Sequence, residues 1–218
     1  MDYENLDLDN PVRHEKRIAG IPTSNKELLD LLKAWLAITI AFTILLNGLR
    51  FNANTIFVII IAAITVGSGF LLHELMHKLV AQKYRCWAEF RADNTMLLVA
   101  IGFSFFGFIF AAPGAVMISG NVDYRRNGII SIAGPLTNYV LSILFLSLVF
   151  IQSPLLHSLG LYGFMINSWL GLFNMIPFGN FDGVKILHWS KLYYGLMVGF
   201  GVLLLIINLG LPYMFKQI

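Results

Sequence analysis

The chain has 218 residues, of which 57% are hydrophobic and only 12% charged, and its mean hydropathy is +0.73. That composition excludes a water-soluble domain and indicates a polytopic membrane protein, while a net charge of +3 carries no signal for a nucleic-acid surface or an acidic partner. The lone Cys86 excludes an internal disulfide and a CxxC metal or redox motif.

Residues 1–27 mix acidic and basic side chains, from Asp2 and Glu4 to Lys16 and Arg17, without the apolar stretch of a signal peptide. They are expected to form a short soluble tail. Ser24-Asn25-Lys26-Glu27 has the spacing of a capping box and opens a first apolar helix over about 28–46, ended by Asn47-Gly48. Thr55 to Leu72 is uncharged and runs directly into His73-Glu74-Leu75-Met76-His77, so a second helix is expected over about 54–83. Three more follow over about 127–151, 158–178 and 193–215, each near the roughly 20 residues that a span requires. Residues 28–215 therefore read as one all-α polytopic membrane domain of about five transmembrane helices.

Between the second and third helices, residues 95–122 carry no charge and have the hydropathy of a further span. Charge argues against it. With five spans and a cytoplasmic N-terminus, every Lys and Arg except Arg50 and Lys216 faces the cytoplasm, and a sixth span would weaken that bias. Gly102, Gly107, Pro113-Gly114 and the alternating Phe106, Phe108 and Phe110 suit extended or looped chain better than one helix. A membrane-dipping β-hairpin or re-entrant loop is expected over about 86–122. Irregular backbone at that depth needs protein or a watery cavity around it.

Ionisable groups at the end of an apolar helix need a partner or a task. His73 and His77 are four residues apart, hence on one helix face, which suits two imidazoles binding one zinc; Glu74 stands beside them as a general base. A plainer alternative pairs Glu74 with Lys78 at i,i+4 and lets the histidines reach the membrane surface. Zinc bound by two histidines needs a third protein ligand, and Asp182, in NMIPFGNFDG (174–183), is the candidate. With five spans it reaches the cytoplasmic side, as His73 and His77 do. A span at 95–112 would put it on the opposite face.

HELMH in a transmembrane helix, followed by SIAGPLTN (131–138) and then NMIPFGNFDG, resembles the site-2 protease family of intramembrane zinc metalloproteases over roughly residues 55–190. The resemblance implies one zinc ion per chain held by His73, His77 and Asp182, with Glu74 as general base. It also implies cleavage of transmembrane segments by attack of metal-activated water. The substrate partner is then a transmembrane protein in the lipid bilayer, and no nucleic acid is involved. Such a protein is a multi-pass component of the cell membrane with its site near the cytoplasmic side. Asn174 is a candidate for holding the scissile carbonyl or the developing oxyanion; a helix-packing hydrogen bond is the alternative. Gly114, Ala115, Val116 and Met117 fall where family members carry an edge strand thought to receive the unwound substrate, an arrangement β-augmentation would favour. A loop that merely packs the helices is the alternative there.

Two departures stand out: Val184 occupies a position where many members have Gly, and one span follows the DG element, so gating is expected to rest on the first and last helices. His14, His157 and His188 have no helical partner and are expected to be structural or superficial. Asn138 and Asn167 lie in apolar helices, where interhelical hydrogen bonds are the expected role. Two other functions suit the same residues. One is an ion or metal transport path, which inverted repeats or acidic residues on several helices would favour. The other is an inactive pseudoprotease. An HExxH protease with a later glutamate ligand would need a large soluble catalytic part.

Overall fold

A computed structural model describes residues 16–18, 20–50, 52–109 and 113–215. The first described elements are two short antiparallel strands, β1 (Lys16–Ile18) and β2 (Ile21–Thr23). Helix α1 (Asn25–Asn47) then begins where expected, because the Ser24 side chain accepts the Glu27 amide as an N-cap. The reciprocal half of the predicted capping box is absent. Glu27 turns its carboxylate away from Ser24 and into the interior, where it is 1% exposed.

Helix α2 (Ala53–Ala62) and helix α3 (Ser68–Lys83) are continuous through a π-helical turn at Ala63–Gly67, and form one apolar helix over Asn54–Lys83. A π turn leaves carbonyls without their usual i+4 partner. Trp35 Nε1 on α1 donates to one of them, Ala63 O, at 3.2 Å.

The region expected to be a hairpin or loop holds two strands and a helix. Strands β3 (Trp87–Ala92) and β4 (Gly114–Ser119) pair antiparallel, with Phe90 opposite Val116. Helix α4 (Asn94–Ser104) separates them, so they are not joined by a tight turn. Asp93 caps α4 by accepting from the Thr95 and Met96 amides. The alternating phenylalanines are not a strand: Phe106 lies in the turn after α4 and Phe108 in irregular chain, while Phe110 and Ala112 fall outside the described residues. At 11 residues α4 is too short to cross a membrane.

Helix α5 (Tyr124–Leu148) is capped by Asp123, and α6 (Pro154–Phe173) starts on Pro154, where a missing N–H is harmless. A short helix that the hydropathy pattern does not announce, α7 (Asp182–Trp189), precedes the last, α8 (Lys191–Phe215). Helix α5 is central and packs against α3, α6 and α7; α8 lies outside, on α6 and α7.

The fold is thus an all-α polytopic membrane protein. Four helices are long and apolar enough to cross a bilayer: Asn25–Asn47, Asn54–Lys83, Tyr124–Leu148 and Lys191–Leu211. The remaining expected span, over 158–178, forms as α6, which starts four residues earlier and ends five residues earlier, but is not among those four. His157, Asn167 and Ser168 lower its apolar character, and Asn167 and Ser168 are fully buried against neighbouring helices rather than turned to lipid.

Inside this frame Lys78 does not pair with Glu74. Its ammonium reaches Glu27 Oε2 at 2.5 Å, and both side chains are buried. Glu27→Ala is therefore expected to strand a buried cation and to lower stability by about 3–5 kcal/mol, read as a reduced midpoint of thermal unfolding in detergent. Thr23, Ser24 and Glu27 are all buried, so a boundary at residue 27 cuts through packed structure.

Candidate metal centre

Histidines four apart on α3 point the same way, and their rings meet edge to face with centroids 4.6 Å apart. Their Nε2 atoms lie 3.0 Å from each other. From the start of α7, Asp182 brings its Oδ2 to 3.3 Å from His73 Nε2 and 3.1 Å from His77 Nε2. All three residues are buried, and one ligand atom from each lies within 4.8 Å of the others.

The outer nitrogens set the protonation of the inner ones. His77 Nδ1 lies 2.8 Å from the Ile130 carbonyl oxygen, which only accepts, so Nδ1 carries the proton. His73 Nδ1 lies 2.6 Å from Asn138 Oδ1. The Asn138 amide nitrogen donates to Gly69 O at 3.2 Å and to Asn167 Oδ1 at 3.1 Å, which fixes its oxygen toward the histidine. His73 Nδ1 is then a donor as well. When the imidazoles are neutral, both Nε2 lone pairs therefore face the Asp182 carboxylate and the three groups converge on one point. Three acceptors so placed repel one another unless a proton or a metal cation sits among them, and a two-nitrogen, one-oxygen set suits zinc.

Helix α5 approaches this point through one face. Ile130, Gly134 and Asn138 follow at intervals of four, supplying respectively a carbonyl, a gap and an amide. A Cβ at Gly134 would lie 2.4 Å from His77 Nε2 and 2.5 Å from His73 Nε2. Close approach is equally needed at Gly69, whose Cβ would fall 2.3 Å from Asn167 Oδ1.

The turn before α7 orients the aspartate. Gly183 N donates to Asn174 O at 2.7 Å, and Lys185 Nζ lies 3.6 Å from the second Asp182 oxygen. Asp182 lies outside the four spanning helices. Burial, the largest influence, pushes its carboxyl up, and attraction to His77 and His73 with their hydrogen bonds outweighs it, holding the group well below the usual carboxylate range.

Glu74 is buried on α3 next to His73, and its carboxylate lies close to the Val116 backbone where α3 packs against β4. The sequence-derived set is thus partly assembled: His73, His77 and Asp182 converge, while Glu74 and Val116 meet beside them. Asn174 is placed otherwise. Its amide donates to Leu170 O at 2.9 Å within its own helix turn, and its carbonyl supports the Asp182 turn. Gly114, Ala115 and Met117 lie along β4.

Asn138 makes the interhelical hydrogen bonds expected of it, and one of them runs to the candidate ligand His73. It sits three residues beyond Pro135, in the SIAGPLTN stretch already singled out. Asn167 is one step further out, donating to Thr65 O and Gly163 O at 3.3 and 3.0 Å. Asn138→Leu is expected to lower zinc affinity about 10- to 100-fold without loss of the fold, measured by competition with a chelating dye. His157 bonds Val149 O at 2.8 Å, and His188 is exposed, both away from the centre; His14 lies outside the described residues.

No protein-family model and no solved structure matches the chain. It is 42% identical over 180 residues, covering 80% of this chain and 90% of the other, to a protein of Methanocaldococcus jannaschii named "Putative zinc metalloprotease". The chain belongs to the family that this archaeal protein represents.

Proposed function

We propose that the protein is an intramembrane zinc endopeptidase of the site-2 protease kind, cutting transmembrane segments of other membrane proteins. One observation carries this reading: three buried acceptors converge on a cation position at the end of an apolar helix long enough to span. The family relationship to a protein named as a zinc metalloprotease supports it.

His73, His77 and Asp182 would hold one zinc ion, which when bound supplies Lewis acidity toward water and the peptide carbonyl. The chain's own groups do the rest. Glu74 takes a proton from the attacking water and passes it to the leaving amine nitrogen. The Ile130 carbonyl and Asn138 hold the imidazoles in the tautomer that leaves both Nε2 atoms free.

Strand β4 provides the place for a peptide. Phe90 N donates to Glu27 rather than across the ladder, so Phe90 and Val116 form a non-hydrogen-bonded pair, and the backbone groups of Gly114, Val116 and Ile118 face the outer edge of β4. Those of Ala115 and Met117 are occupied by β3. No third strand covers that edge among the described residues. An unwound substrate adds there by β-augmentation, next to Glu74. For Asn174 to hold the oxyanion, it must offer the amide N–H that Leu170 O does not use.

The bias of positive charge supports a cytoplasmic N-terminus and site, which a transmembrane substrate would reach through the bilayer. The test uses purified protein in liposomes with a panel of transmembrane peptides. Cleavage should cease on chelation and return as zinc approaches one per chain. Cleavage that ignores chelation contradicts the proposal, as does a zinc-loaded protein that cuts no member of the panel.

A further inference from the structure

We propose that Glu27 is a positioning residue: it fixes the β3–β4 strand pair against the metal-binding helix, and so sets where an extended peptide lies relative to Glu74. The inference rests on the protease reading above.

Glu27 lies in the first turn of α1, far in sequence from the centre, yet its carboxylate ties together three separate segments. Oε2 takes the Thr23 hydroxyl and the Lys78 ammonium, both at 2.5 Å. Oε1 takes the Phe90 amide of β3 at 3.0 Å. Lys78 directly follows the ligand His77, so one oxygen holds the metal helix while the other holds the strand. A second link runs parallel, from the Ser24 hydroxyl to Glu89 Oε2 at 3.1 Å.

The strand contact matters because of register. Phe90 stands opposite Val116 of β4, the strand that packs on α3 with the Val116 backbone close to the Glu74 carboxylate. Displacing Phe90 therefore displaces the β4 edge relative to the general base. An ion pair serving stability alone has no need of a strand amide; here the two oxygens divide the tasks, and substitution separates them.

Changing Glu27 alone strands the Lys78 ammonium, so the variants are made in pairs. Glu27→Gln/Lys78→Met removes both charges and keeps an oxygen for the Phe90 amide. Glu27→Met/Lys78→Met removes the charges and the acceptor together. Replacing a buried ion pair by apolar groups of similar volume is commonly tolerated.

Both pairs are expected to bind one zinc per chain. The Gln pair should cleave a transmembrane peptide in liposomes like wild type, and the Met pair should lose about 10- to 100-fold in kcat/KM, the scale of a small misplacement of reacting groups. Equal cleavage by the two pairs overturns the proposal. If the Met pair does not fold, Glu27→Asn/Lys78→Met makes the same comparison with the acceptor drawn back by one methylene. Absence of Glu74-dependent cleavage in wild type overturns the protease reading instead. Hydrogen exchange over 87–92 and 114–119 then decides the anchoring: faster exchange in the Met pair than in the Gln pair supports it, and equal exchange overturns it.

Discussion

Glu74→Gln is expected to bind zinc at the wild-type stoichiometry and to lose about 10²- to 10⁴-fold of peptide cleavage, the usual contribution of a general base. The two effects separate because Glu74 is adjacent to the candidate ligands without being one of them: the converging atoms belong to His73, His77 and Asp182. Glutamine keeps the size of the side chain and can still meet the Val116 backbone, so the β4 edge should stay in place. What it lacks is a basic oxygen. Zinc content by elemental analysis and cleavage rates on one preparation check both halves. Loss of zinc together with activity would place Glu74 among the ligands, and unchanged cleavage would remove it from the chemistry.

Gly134→Ala should abolish zinc binding while leaving the protein folded. The added methyl would sit 2.4 Å from His77 Nε2 and 2.5 Å from His73 Nε2, at the position where the acceptors converge. Neither ring can simply retreat, because its other nitrogen is held by Ile130 O or Asn138 Oδ1 on the same helix. Alanine is a better helix former than glycine by about 1 kcal/mol, so α5 itself is not weakened. A loss of at least about 100-fold in zinc affinity is expected, at or above the upper end seen when the support of a metal ligand is removed. Cobalt substitution with visible absorption, beside a thermal-unfolding trace, separates loss of the site from loss of the fold. Retention of wild-type affinity would show that α5 does not approach the imidazoles as closely as described.

Much of this arrangement is legible in the residues themselves. Long uncharged runs announce α1, the Asn54–Lys83 helix, α5 and α8, because a bilayer selects for length and apolarity without regard to partners. HELMH specifies its own geometry, since a four-residue interval on a helix fixes the relation of the two imidazoles. Asp182 is reachable from sequence through the breaker residues Pro177 and Gly179 and through span counting.

What stays hidden depends on partners distant in sequence. Glu27 looks like the second half of a capping box, and nothing local reveals that Lys78 and Phe90 will claim it. Lys78 likewise has an acidic neighbour at i−4 and uses a different one. Asn138 resembles any polar residue in a membrane helix until His73 is found beside it. Helix α7 is short, and its buried Asp182, Gly183 and Ile186 leave no long apolar run. The alternating phenylalanines after α4 mimic a strand, whereas the strands form at either side of that helix, where β3 and β4 can pair.

The position of the scissile bond tests the central claim most directly. Wild-type protein in sealed liposomes is supplied with a transmembrane peptide, and the products are sized by mass spectrometry before and after metal removal. Cleavage between residues inside the apolar segment, lost on chelation and restored by zinc, is the predicted result. Products cut solely in the flanking polar residues, or formed equally without metal, would contradict an intramembrane zinc protease.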